Sequence, residues 1–172
     1  MAILNMKQKE QVNEMTNKYV DITHLNETSL EYSDDPETLK ELLQDIKVSI
    51  KFKKTDKYFA DDTDYRDILS IKIERDDTKI IFDFGCSIND TQMNKNSNVY
   101  HYISSNMLCT ILSSCLFDYY IPEDFSDFVD EYGYDVELEG TTKIRNLHER
   151  CLKQSEKIKS IFSEDEIVCL PN

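Results

Sequence analysis

Cys86 and His101 stand fifteen residues apart, Asp61, Asp62 and Asp64 crowd one short stretch, and Asp118 to Glu139 places nine carboxylates in twenty-two residues without a Lys or Arg. Each group suggests a different chemistry. A Cys/His pair can supply a thiolate nucleophile when its context activates the sulfur. No signature surrounds Cys86 or His101, and a chain with five cysteines and three histidines brings such pairs together by chance. Clustered Asp suits Ca²⁺ or Mg²⁺, which prefer carboxylate oxygens. The EF-hand spacing fails, because the loop glycine is missing and the twelfth residue from Asp62 is Ile73 where Glu is needed. Thr55 to Arg66 therefore reads as a solvated loop. His148 has no second ligand at helical spacing and reads as a hydrogen-bonded packing residue. The expectation is a protein without catalytic residues, metal or cofactor.

The acidic run is left as the chemistry of interest, and that chemistry is binding. Seven aromatics run through and beside it: Phe117, Tyr119, Tyr120, Phe125, Phe128, Tyr132 and Tyr134. Pro122 introduces, and Gly133 stops, a predicted helix over 123–132, with Tyr134 packing back on Val129. At 100° per residue, Phe125, Phe128, Val129 and Tyr132 share one arc, and Glu123, Asp124, Asp127, Asp130 and Glu131 share the opposite one. Like charges four residues apart cost about 0.2–0.5 kcal/mol each, and Asp130 and Glu131 also oppose the helix dipole. If the whole run were helical, about 33 Å of axis would hold one charge per roughly 3.7 Å, close to the ~3.4 Å phosphate spacing of one DNA strand. A surface of this kind suits a basic protein, whether as a mimic of a nucleic-acid backbone or as a docking face. The competing reading is a solvated, solubilising face.

Composition sets the limits around that surface. A formal charge of -14 over 172 residues argues against direct affinity for nucleic acid or anionic membrane. The charge is regional: residues 99–140 carry nine acidic and no basic side chains, whereas Thr141 onward carries six basic and five acidic. The mildly basic last helix is thus expected to neutralise part of the acidic run internally. There is no early apolar leader and no membrane-length apolar run, so the expectation is a soluble protein of the cytoplasm. The odd cysteine count without a CxxC pair fits reduced thiols.

The elements that must position the surface are legible in part. Residues 4–19 suggest an N-terminal helix or arm. Asp35 and Pro36 start a helix to about Asp45, with Leu39, Leu42, Leu43 and Ile46 on its apolar stripe. Val48, Ile50 and Phe52 then alternate with Lys and Ser as in a half-buried strand. A two-residue turn at Asp76 and Asp77 sets Leu69, Ile71 and Ile73 opposite Phe84, Phe82 and Ile80, and Glu74 opposite Lys79. After a polar segment from Gly85 to Asn98, a core helix runs from Tyr100 through Leu116, and a last helix spans about 142–162. Ser163 and Glu166 form a capping box beyond it. The prediction is one α+β domain over 1–172, with a small antiparallel sheet of three or more strands, helices covering it, and a mostly helical C-terminal half.

Two stretches also carry a resemblance. The run 82–91, Phe-Asp-Phe-Gly-Cys-Ser-Ile-Asn-Asp-Thr, and the run Pro122-Glu123-Asp124-Phe125-Ser126-Asp127-Phe128 leading to Glu131-Tyr132-Gly133-Tyr134-Asp135 resemble small acidic proteins of bacteriophages and other mobile elements. The tail 154–158 before Ile161-Phe162 fits the same pattern, and the likeness covers residues 47–162. In those proteins Tyr134-Asp135 runs almost directly into the last helix, whereas here Val136 to Gly140 reads as an extended insertion. The resemblance implies an accessory protein active in a bacterial host cell. Such proteins include inhibitors of host defence, among them anti-CRISPR proteins, which occupy the basic nucleic-acid channel of an effector. On that reading Asp118, Glu123, Asp124, Asp127, Asp130, Glu131 and Asp135 face Lys and Arg of a host nucleic-acid-binding protein, with Tyr120 and Tyr134 as aromatic anchors. A second reading has the same segment assemble a homo-oligomer of the mobile element.

Overall fold

The computed structural model describes residues 2–3, 18–54, 67–86, 92–93 and 107–172. In chain order these form β1 (Ala2–Ile3), β2 (Val20–Asp21), α1 (Glu27–Glu31), α2 (Pro36–Asp45), β3 (Lys47–Lys54), β4 (Asp67–Arg75), β5 (Thr78–Cys86) and β6 (Gln92–Met93). The helical half follows as α3 (Met107–Tyr119), α4 (Phe125–Tyr132), α5 (Val136–Glu139), α6 (Thr141–Lys159) and α7 (Glu164–Ile167). The fold class is α+β, as the sequence predicts. The expected arm over 4–17, the loop over 55–66, the segment over 87–91 and 94–98, and the expected start of the core helix over 100–106 lie outside the described residues. So do Asp61, Asp62, Asp64 and His101.

Four antiparallel strands pair in the order β2-β3-β4-β5, and β1 pairs separately with β6. The predicted hairpin register is the observed one, with Leu69 opposite Phe84, Ile71 opposite Phe82, Ile73 opposite Ile80 and Glu74 opposite Lys79. A period-two pattern fixes this register because a slip of one residue would turn every isoleucine to the wrong face. Val48, Ile50, Ile71, Ile73, Ile80 and Phe82 are buried together on one face. On the opposite face Ser49 of β3 is buried as well, and Ser70 on β4 donates its hydroxyl to Asp83 across the hairpin at 2.5 Å.

Helices close that face. The N-cap Asp35 accepts from the Thr38 amide, and Leu39, Leu42 and Leu43 of α2 point inward. Met107, Leu108, Ile111, Leu112 and Cys115 of α3 fill the centre, and Ile158 of α6 joins them. The chain end is built into this core: Ile161, Phe162, Ile167, Cys169 and Leu170 are buried in the same cluster. Ser163 and Glu166 form the expected capping box at α7. The Ser33 hydroxyl donates to the Cys169 carbonyl at 2.5 Å, and the Asn172 amide donates to the Tyr32 carbonyl at 3.1 Å, so the tail is sewn to the N-terminal helices.

Candidate partner-binding surface

The acidic run is divided among three helices rather than forming one rod. It begins at the end of α3, crosses a short connection, forms α4 and then the single turn of α5. The straight-axis charge spacing close to that of DNA therefore does not apply. The expected start of α4 shifts as well: Glu123 and Asp124 precede the helix, and Asp124 is its N-cap, accepting from the Ser126 amide at 2.8 Å and the Asp127 amide at 3.2 Å. A carboxylate satisfies these otherwise unpaired N–H groups, so Asp124 wins the cap position over the proline two residues earlier. Three carboxylates, Asp127, Asp130 and Glu131, then lie on the exposed helical arc in place of the five expected.

The far end of α4 follows the sequence closely. Gly133 takes φ 66°, in the left-handed region, and the Tyr134 amide donates to the Val129 carbonyl at 3.1 Å, closing the helix. Val136 to Glu139, expected to be extended, instead form a helical turn capped by Asp135, whose carboxylate accepts from the Leu138 amide at 3.0 Å. Asp135 is thus committed to a cap as well as exposed. Leu138 on that turn is 82% exposed.

An aromatic cluster separate from the main core holds α4 in place. Phe128 is 1% exposed and stacks on the His148 ring at 4.5 Å, with Tyr132 at 4.9 Å and Tyr134 at 5.6 Å. His148 Nε2 lies 2.6 Å from the Pro122 carbonyl, so that nitrogen carries the proton and donates. One residue of α6 therefore fixes both the approach to α4 and its buried face, which matches the packing role expected of His148. Ser155, one helical stretch further on, donates to the Tyr119 carbonyl at 2.7 Å and ties α3 to α6.

The predicted anchors separate in the structure. Tyr120 is 48% exposed and meets the Tyr119 ring edge-on at 4.9 Å. Tyr134 is half-buried against Phe128 and belongs to the internal cluster, whereas Tyr132, expected on the inner arc, is 44% exposed. Phe117, which sequence reasoning left without a role, is 64% exposed. Burial pushes the Tyr132 hydroxyl up, with help from the Glu131 charge.

Asp118 departs most from expectation. It is half-buried and lines a cleft of about 430 Å³ between β5 and α6, together with Ile81, Leu147, Arg150, Gln154 and Lys157. Burial raises its carboxyl, and it stands apart from the exposed arc of α4. The remaining carboxylates, Glu123, Asp124, Asp127, Asp130, Glu131, Asp135, Glu137 and Glu139, are all exposed. Among the described residues, no Lys or Arg nitrogen lies within 4.0 Å of any of them. The internal neutralisation expected from α6 is not seen in that form. Its cations meet aromatic rings instead, Arg145 over Phe125 at 4.2 Å and Lys159 over Tyr119 at 5.4 Å.

The described thiols are poor nucleophiles. Burial pushes Cys115 up to about 12 and Cys169 to about 11, and raises Cys109 and Cys151 as well. Among the described residues no group of three or more His, Cys, Asp or Glu is placed to hold a metal ion, and no helix is long and apolar enough to cross a membrane. No protein-family model matches the chain, and comparison with curated proteins and with solved structures finds no match. The resemblance to acidic mobile-element proteins rests on the quoted motifs alone.

Proposed function

We propose that this protein works by stoichiometric binding, presenting α4, α5 and their flanks to a basic protein surface. The observation that supports this most is the set of eight exposed carboxylates from Glu123 to Glu139, unpaired by Lys or Arg among the described residues, on and around α4, whose buried face the Phe128–His148 cluster holds. Uncompensated like charge on a rigid face lowers stability, and a cationic partner offsets that cost. Taken with the resemblance, the partner is the nucleic-acid channel of a bacterial defence complex such as a CRISPR effector, and the protein acts in the host cytoplasm as an inhibitor. Affinity for such a partner should fall steeply with salt, and a triple Asp127→Lys, Asp130→Lys, Glu131→Lys variant should lose it. Binding that persists in the triple variant, measured by calorimetry or interferometry against purified effector, overturns the proposal.

Exposed apolar groups beside the acids support a second reading, self-assembly. Phe117, Tyr120 and Leu138 offer contact area to another copy. Sedimentation velocity over a wide concentration range separates the two readings. A binding protein of this charge stays monomeric alone, and a Phe117→Ser, Tyr120→Ser variant should dissociate an assembly but leave a monomer unchanged.

A further inference from the structure

Asp118, from the end of α3, lines the cleft between β5 and α6. Beneath it lies a smaller apolar pocket floored by Ile71, Ile111, Cys115 and Ile158, and Asp118, Gln154 and Phe82 line both spaces. Among the described residues no donor hydrogen-bonds to Asp118 and no cation lies within 4.0 Å of it, so a half-buried, partly desolvated carboxylate stands without a direct protein partner. Asp83, at the cleft's edge, already accepts the Ser70 hydroxyl. Ile81 and Leu147 provide apolar walls leading down to Asp118, and Arg150 and Lys157 stand exposed at the rim.

We propose that this cleft receives one arginine side chain of the protein partner, with the guanidinium on Asp118 and the Gln154 carboxamide oxygen and the aliphatic stem between Ile81 and Leu147. The inference rests on the reading of this protein as a binder of basic surfaces and gives that binding a specific anchor. A charge in a half-buried site is screened less than charges in water, so Asp118 dominates the deep end although Arg150 and Lys157 are nearby. The two rim cations disfavour a cluster of lysines or arginines and thereby select an isolated one. Guanidinium suits the place better than ammonium because it is weakly hydrated and can fork onto two acceptors. An arginine seated in a desolvated pocket is also the usual form of an interface hot spot, which a uniformly acidic face does not provide.

The probe is N-acetyl-L-arginine amide, titrated into the ¹⁵N-labelled full chain and followed by NMR. Saturable shifts at the Gln154 side-chain amide and at the Ile81 and Leu147 backbones are expected, with none from N-acetyl-norleucine amide. Asp118→Asn, nearly isosteric, should weaken the arginine compound by tenfold or more, and Leu147→Lys should abolish its binding. Equal shifts across Asp127, Asp130 and Glu131, or an Asp118→Asn titration like that of the unmodified protein, would overturn the assignment. If the compound occupies the cleft but partner binding ignores the α4 charge reversals, the cleft stands and the acidic-face reading falls. If the reversals abolish partner binding and the compound leaves the cleft unshifted, the reverse holds.

Discussion

Arg75 and Glu166 form a two-pronged ion pair across ninety-one residues of sequence, Nη1 to Oε1 and Nη2 to Oε2, each at 2.8 Å. Arg75 Nη1 also donates to the Ile161 carbonyl at 3.0 Å, and Nη2 lies 3.7 Å from Asp45. The last residue of β4 thus grips the turn after α6, the start of α7 and the end of α2 together. Such forked geometry is stronger and more directional than an ordinary surface pair.

The pair sets an acid limit on stability. The Arg75 hydrogen bonds hold the Glu166 carboxyl at about 2, against an ordinary value of 4.5. Because the folded value is the lower one, its stabilisation is fully present above about pH 4.5 and is lost as pH falls towards 2. Glu166 is partly exposed, so solvent screening reduces the effect to on the order of 1 kcal/mol. Glu166→Gln should lower the urea midpoint at pH 7 and flatten its fall between pH 5 and 2.5. An unchanged acid slope would show that another carboxylate controls that limit.

The β4–β5 turn has one strained residue. Asp76 sits at φ 50°, a left-handed conformation that costs an ordinary residue roughly 1–2 kcal/mol and glycine nothing. Part of that gain is lost to the greater freedom of glycine in the unfolded chain. Asp76→Gly should therefore stabilise the protein by about 0.5–1 kcal/mol, read as a higher thermal midpoint. Asp77→Gly, at a position without a positive φ, should give no gain.

This hairpin was legible because its information is local: alternating isoleucines, a polar pair between them, and Glu74 falling opposite Lys79. The Asp35-Pro36 start, the Gly133 stop and the Ser163–Glu166 box were legible for the same reason. What the sequence hid depends on who faces whom at long range. Asp118 looks like its acidic neighbours until α6 and β5 close a cleft over it, and Asp124 looks helical until the amides of Ser126 and Asp127 claim its carboxylate. The helical turn over Val136–Glu139 was missed although Asp135 stands three residues before Leu138, whose amide it caps. An N-cap residue at that spacing was the available signal.

His148 supports the acidic surface from behind. Alanine there removes the hydrogen bond to Pro122 and the stack on Phe128, and leaves a carbonyl without its donor. The expected loss is about 2 kcal/mol. His148→Phe retains the stack and should lose about half as much. Partner binding should weaken in the alanine variant well below its thermal midpoint, because α4 loses its orientation before the main core melts. A protein that loses stability but binds unchanged up to its midpoint would show that the cluster does not position the surface.

Asp130 and Glu131 offer the sharpest separation of a functional face from a solubilising one. Both lie in the last turn of α4 at the negative end of its dipole, and no basic residue occupies that turn. Glu131 also sits four residues from Asp127 on the same exposed arc. Replacing either with lysine relieves dipole and like-charge repulsion, so Asp130→Lys and Glu131→Lys should each stabilise the folded protein by roughly 0.3–1 kcal/mol at low salt. If the arc meets a cationic partner, the same substitutions should weaken binding by tenfold or more, with a shallower salt dependence. Opposite signs for stability and affinity are the signature of charge kept in place for a partner. Improved stability with unchanged affinity would mean that these carboxylates only keep the protein in solution.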